Sequence, residues 1–151
     1  MKKLAILGAS YLQVPLIMKA REMGIETHVF AWEQGAYAKE FSDYFYPISI
    51  LDKELILNKC IEIKISGITT IGSDIAMPSV SFVANSLHLI SNTEESTLVS
   101  TDKYEMRKTF SVNGLSCPRF VIYSSNNFYN DENLAFPLIV KPTDRSGSRG
   151  V

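Results

Sequence analysis

The sequence predicts an α/β fold, a parallel sheet covered by helices on both faces, followed by a second and smaller region. Three observations predict it. Short apolar runs alternate with stretches of helical spacing through the first 95 residues, and the connections between them are short. The run KKLAIL ends at a small-residue turn, Gly8-Ala9-Ser10, which opens an amphipathic stretch. Hydrophobic residues make up 46% of the chain and charged residues 21%, the balance of a chain that can bury a core.

Each element has its own reason. Residues 2–7 form a short apolar run before a glycine, which reads as a buried strand. From Tyr11 to Met23, Leu12, Leu16, Ala20 and Met23 recur at helical spacing, and Gly24 follows as a C-terminal stop. ETHVFAW (26–32) is β-branched and aromatic and predicts a second strand. Gly35-Ala36 opens a loop and short helix, and DYFYPIS (43–49) predicts a third strand. Asp52 caps a helix carrying Leu55, Ile56, Cys60 and Ile61. ITTIG (68–72) is a fourth strand, Met77 to Leu87 a helix, and HLIS (88–91) a short fifth strand. Beyond residue 95, Thr101 caps a helix to about Val112, closed by Gly114. CPRFVIY (117–123) and FPLIVKPT (136–143) read as strands, separated by a polar turn region at 124–133. One helix and two strands do not bury a core of their own, so residues 96–151 read as an incomplete domain.

Composition excludes several function classes. The net charge is −1 with no basic block, which argues against a nucleic-acid surface. Cys60 and Cys117 lie far apart without a C-x-x-C pair and read as reduced thiols. No apolar run approaches the ~20 residues of a membrane span. Met-Lys-Lys-Leu is basic, but its apolar run stops at Gly8, too short for a signal-peptide core. The expectation is a cytoplasmic protein that engages neither nucleic acid nor membrane.

The opening turn poses a choice. A dinucleotide fingerprint would read G-x-G-x-x-G, whereas residues 8–13 read Gly-Ala-Ser-Tyr-Leu-Gln. Glu33 lies after the second strand, near where a ribose-binding acid would fall, so a dinucleotide-binding module of oxidoreductase type is one reading. The second and third glycines are absent, and that reading leaves the chain from Ser100 onward unexplained.

The later residues point elsewhere. Lys141 sits in an apolar strand directly before Asp144-Arg145-Ser146-Gly147-Ser148-Arg149-Gly150. Apolar neighbours should cover that lysine at least partly, and a covered ammonium needs an anionic partner. Glycines let consecutive backbone amides approach an anion, and serine and arginine add donors. Lys103 is poorly placed at a helix N-terminus, unless ammonium and helix end attract the same anion.

In this order the motifs resemble the ATP-grasp superfamily. STDKYEMRKTFSVNGLSCPRF, then FPLIVKPTDRSGSRGV, is similar to that family's helix, strand, lysine-bearing strand and glycine-rich phosphate loop. ILGAS…LIMKAREMGIETHVF, FSDYFYPISILD and GITTIGSDIA resemble the Rossmann-like domain that precedes it. The nearest likeness is to carbamoyl phosphate synthase large-chain-like proteins. The resemblance implies a pre-ATP-grasp domain over 1–95 and the truncated start of an ATP-grasp domain over 96–151. It implies ATP as cofactor, contacted by Lys103, Lys141 and the lid Ser146, Gly147, Ser148, Arg149 and Gly150. Mg2+ would also bind, through ligands expected outside these residues. Ser148-Arg149 departs from a loop that is often richer in glycine. The implied reaction joins a small-molecule carboxylate to an amine through an acyl phosphate, and a homodimer is compatible with it. The residues present should not catalyse alone. The turn at Gly8 would then be structural and in part a wall of the acceptor site. Ligands bind at the carboxyl edge of open parallel sheets, which makes Ser10, Tyr11, Leu12, Gln13 and Asp74 the acceptor-side candidates.

Overall fold

The computed structural model describes residues 1–123, 134–145 and 150–151. The chain divides into two compact units, Met1–Thr97 and Leu98–Val151.

The first unit is built on four parallel strands, β1 (Lys3–Leu7), β2 (Glu26–Phe30), β3 (Tyr44–Tyr46) and β4 (Gly67–Thr69), in the order β3-β2-β1-β4. Ala5 lies opposite His28 on one side and Ile68 on the other. Strand alternation sends successive residues to opposite faces, and both faces are filled. Ala5, Leu7, Phe30 and Ile68 join one apolar cluster with Ile56 and Cys60 of α2 (Lys53–Ile63) and Val80, Val83 and Ala84 of α3 (Met77–Ser86). Ile6 and Val29 join the other with Ile17 of α1 (Val14–Glu22) and Ala36 and Ala38. Burial pushes the Cys60 thiol up to about 12, so it stays protonated and unreactive.

Helix faces differ in detail from the sequence expectation. The inward stripe at the first helix is Gln13, Ile17 and Ala20, while Leu12 and Met23 are exposed. In α2 the inward residues are Ile56, Cys60 and Ile63, and Leu55 and Ile61 face water. The expected third strand shortens to Tyr44–Tyr46.

The expected fifth strand, 88–91, is a turn. The amides of Leu87, His88 and Leu89 bond back to the carbonyls of Val83, Asn85 and Ala84, and His88 takes a left-handed φ of 54°. The end of α3 thus captures the amides a strand would offer a neighbour. A helix absent from the sequence reading, α4 (Glu94–Thr101), follows. The Thr93 hydroxyl accepts from Ser96 N, and two glutamates occupy the first turn, where the helix dipole favours them. Its only buried residue is Thr97, so no apolar periodicity marks it in the sequence.

In the second unit, α5 spans Lys103–Val112. Its cap is Asp102 rather than Thr101, which closes α4. Asp102 Oδ1 accepts from Tyr104 N at 2.8 Å and Glu105 N at 3.0 Å. Neither 117–123 nor 136–143 forms a strand. A strand satisfies its amides only through a neighbour, and among the described residues of this unit none supplies a ladder. The polar region 124–133 lies outside the described residues.

Candidate functional site

Two groups of candidate residues exist, one in each unit. In the first unit, strand order reverses between β1 and β4, because β2 and β3 lie on one side of β1 and β4 on the other. The turn after β1 and the exit of β4 therefore adjoin at the switch point of the sheet. Gly8 has φ of 101°, and its amide donates to Phe30 O at 2.8 Å. A Cβ there would lie 3.2 Å from the Gln13 side chain. Glycine is thus required both by backbone conformation and by space.

Gln13 fills the crevice. It is buried, its Oε1 accepts from Ser10 N at 2.8 Å and Ser10 Oγ at 2.7 Å, and its Nε2 donates to Ile71 O. Thr70 Oγ1 donates to Leu7 O at 2.7 Å, a second tie between the two strand exits. Ala38 N donates to Ala9 O at 2.8 Å and brings in the segment after β2. Tyr11 and Leu12 project into solvent, and Asp74, opening a 3-10 turn before α3, is exposed as well. The structure thus brings Ser10–Gln13 and the β4 exit leading to Asp74 together at one edge. Gln13 is turned inward, and both ends of its amide are used within the protein.

The same hydrogen bonds speak against a dinucleotide. A pyrophosphate at a strand-to-helix turn needs free backbone amides. Here Ser10 N bonds Gln13 Oε1, Leu12 N bonds Ser10 Oγ, Gln13 N bonds Ser10 O, and Val14 N bonds Tyr11 O. Glu33 lies exposed in the loop after β2.

In the second unit, the tie between α5 and the segment after Lys141 stands out. Lys103 N donates to Thr143 O at 2.9 Å, and Lys103 Nζ donates to the carbonyls of Thr143 (3.3 Å) and Arg145. Burial alone would raise the Asp102 pKa. Hydrogen bonds from Glu105 N, the Thr143 side chain and Tyr104 N, with the Lys103 charge, outweigh it and hold the carboxyl below its ordinary value. The helix end is therefore occupied by protein groups and is not open to an anion in the way the sequence suggested. The ammonium of Lys103 has three hydrogens and, among the described residues, uses two on these carbonyls, so one remains for a further acceptor.

Lys141 is exposed, contrary to the expectation of a covered ammonium, because among the described residues no sheet surrounds its segment. Ser146, Gly147, Ser148 and Arg149 lie outside the described residues. Gly150 is described: its φ is 77°, and a Cβ would lie 3.0 Å from Pro142 Cγ. Gly150 thus lies close against Pro142. Thr143, which joins Lys103 and Asp102 to this segment, escaped the sequence reading. No local pattern distinguishes a threonine whose backbone carbonyl accepts from a lysine 40 residues away.

No protein-family model matches the chain, and no curated protein matches it in sequence. Solved structures do. Phosphoribosylglycinamide synthetase from Anaerococcus prevotii is 25% identical with a TM-score of 0.72, over 83% of this chain and 32% of that one. L-amino acid ligase from Bacillus licheniformis is 21% identical with a TM-score of 0.74, over 96% and 38%. The biotin carboxylase domain of 2-oxoglutarate carboxylase from Hydrogenobacter thermophilus, a dimer solved with MgADP, ADP and bicarbonate, is 17% identical with a TM-score of 0.60, over 75% and 27%. The chain spans about a third of the length of the structures it matches.

Proposed function

We propose, from the fold that this chain shares with the N-terminal part of ATP-grasp ligases, that it is the N-terminal portion of an ATP-dependent ligase joining a carboxylate to an amine. It contributes the Rossmann-like sheet domain and part of the grip on the ATP phosphates. The observation that supports this most is the tie of Lys103 to Thr143 and Arg145, which sets a first-turn lysine at the foot of the segment following Lys141.

The residues present fit a nucleotide phosphate. Among the described residues Lys103 keeps one hydrogen for an oxygen, and Lys141 presents an exposed ammonium. Lys103 and Lys141 would hold ATP phosphates, with Ser146–Gly150 over them. Mg2+, through ligands outside these residues, supplies neutralisation of phosphate charge. The reaction class is formation of an acyl phosphate from the carboxylate and its displacement by the amine. Ser10–Leu12 and Asp74, at the switch-point edge, form the acceptor side, with Gln13 bracing the turn from within. Among the described residues no helix is long and apolar enough to cross a membrane, and we place the enzyme in the cytoplasm.

The test is product analysis on the full-length protein that carries this chain. Carboxylate- and amine-dependent release of ADP and inorganic phosphate, in step with amide formation, is the expected result. AMP and pyrophosphate, or turnover of a nicotinamide cofactor instead, would sink the reading. In that protein Lys141→Ala should weaken ATP binding by about ten- to a hundredfold, the worth of a hydrogen bond to a charged group. In residues 1–151 alone, calorimetry should find weak MgATP binding that the same substitution changes little.

A further inference from the structure

The carboxyl edge of the sheet carries a charge pattern that a phosphate site would not have. Residues 8–13, 31–38, 47–52 and 70–76 leave β1, β2, β3 and β4, and they contain no lysine, arginine or histidine. They contain three carboxylates, Glu33, Asp52 and Asp74. Asp52 is engaged as the cap of α2 through Leu55 N. Glu33 and Asp74 are exposed, and among the described residues no cation pairs with either.

The same edge exposes large apolar side chains. Tyr11 is 70% exposed, Trp32 52% and Tyr37 60%. Backbone and side-chain contacts join their loops into one surface. Ala38 N bonds Ala9 O, Gln13 Nε2 bonds Ile71 O, and a Cβ on Gly72 would lie 3.1 Å from Leu12 Cδ1. Lys39 and Lys53 follow directly in the next elements, and the Lys53 ammonium lies over the Phe82 ring. An edge whose loops themselves carry carboxylates and aromatic rings but no base disfavours phosphate. It attracts an ammonium, both by charge and through the aromatic faces.

We infer that the ligand at this edge is a primary amine on an apolar or aromatic body, its ammonium held by Asp74 with Glu33 in support, and its body packed on the exposed rings that the joined loops present, Tyr11, Trp32 and Tyr37. The inference rests on reading this edge as the acceptor side, and it assigns the amine, rather than a phosphorylated compound, to the sheet domain.

Trp32 is the single tryptophan of the chain and reports on this edge directly. Its emission can be followed in the 151-residue chain at neutral pH and constant ionic strength, with phenethylamine, 2-phenylethanol and ribose 5-phosphate as probes. Phenethylamine should give a saturable change, the alcohol a weaker one, and the sugar phosphate none. Asp74→Asn should weaken phenethylamine binding about tenfold, and Glu33→Gln by less. Both carboxylates are exposed, so both variants should unfold at the parent temperature. The inference is overturned if ribose 5-phosphate saturates the signal as readily as the amine. It is overturned equally if Asp74→Asn leaves amine binding unchanged, or if no probe gives a saturable response. Any of these, alongside ADP-forming ligase activity in the full-length protein, would remove the amine assignment and leave the ligase reading standing. Amine binding without that activity would do the reverse.

Discussion

From Met1 to Thr97 the chain buries two apolar clusters, one on each face of a four-stranded sheet, and every strand has a hydrogen-bonded neighbour. From Leu98 to Val151 no described residue is buried, and α5 has no buried face. Ile139 and Val140, as apolar as anything in β1, are 79% and 76% exposed. Apolar sequence becomes core only where the topology returns other apolar surface to it. In the first unit three crossovers do this within 97 residues, whereas the described part of the second unit offers α5, the last turn of α4 and their flanking segments.

The largest effect that can break this comparison is a core truncation. Phe30→Ala should cost about 3–5 kcal/mol in urea unfolding, because it empties a fully buried site between sheet and helices. Val140→Ala should stay within about 0.5 kcal/mol, the range of surface changes. Equal losses would mean that the second unit has a core after all.

Gly8→Val comes next. A β-branched residue at φ of 101° is strained, and its Cβ would press on Gln13. The expected loss is about 1–3 kcal/mol. Thermal unfolding at the parent temperature would show that the turn does not need glycine.

Acid should act on the first unit through Asp43. Burial alone would raise its pKa. Hydrogen bonds from Thr27 N and Oγ1, with the Arg21 charge, more than offset this and lower it below the ordinary value. A depressed folded-state pKa means stability that is full above the unfolded value, near 3.9, and is lost as pH falls through the folded one. Asp43→Asn should flatten that acid limb and cost roughly 1–3 kcal/mol at neutral pH. An unchanged acid limb would remove Asp43 from the account.

The smallest effect belongs to the second unit. Asp102→Ala removes the cap of α5 and should cost about 1 kcal/mol of helix stability. Hydrogen exchange should quicken at the Tyr104 and Glu105 amides, while the amides of β1 and β2 keep their protection. Faster exchange in β1 would show that the two units unfold as one.

The sequence by itself determined the local order of the first unit. KKLAIL before Gly8, ETHVF and the Asp52 cap each act within a few residues and appear where expected, with ends shifted by one or two, whereas the apolar spacing marked the helices but not all of their buried faces. It also held the order of motifs that resembles the ATP-grasp superfamily. The tertiary structure decided what depends on distant partners. It turned HLIS into a helix-end turn because α3 carbonyls took its amides, and it left FPLIVKPT without a ladder among the described residues. It placed Gln13 inside the switch-point crevice by pairing it with Ile71, 58 residues away, and tied Lys103 to Thr143, 40 residues away. A propensity or a cap is a short-range preference of the chain. A hydrogen bond across such separations exists only once the fold has brought both ends together.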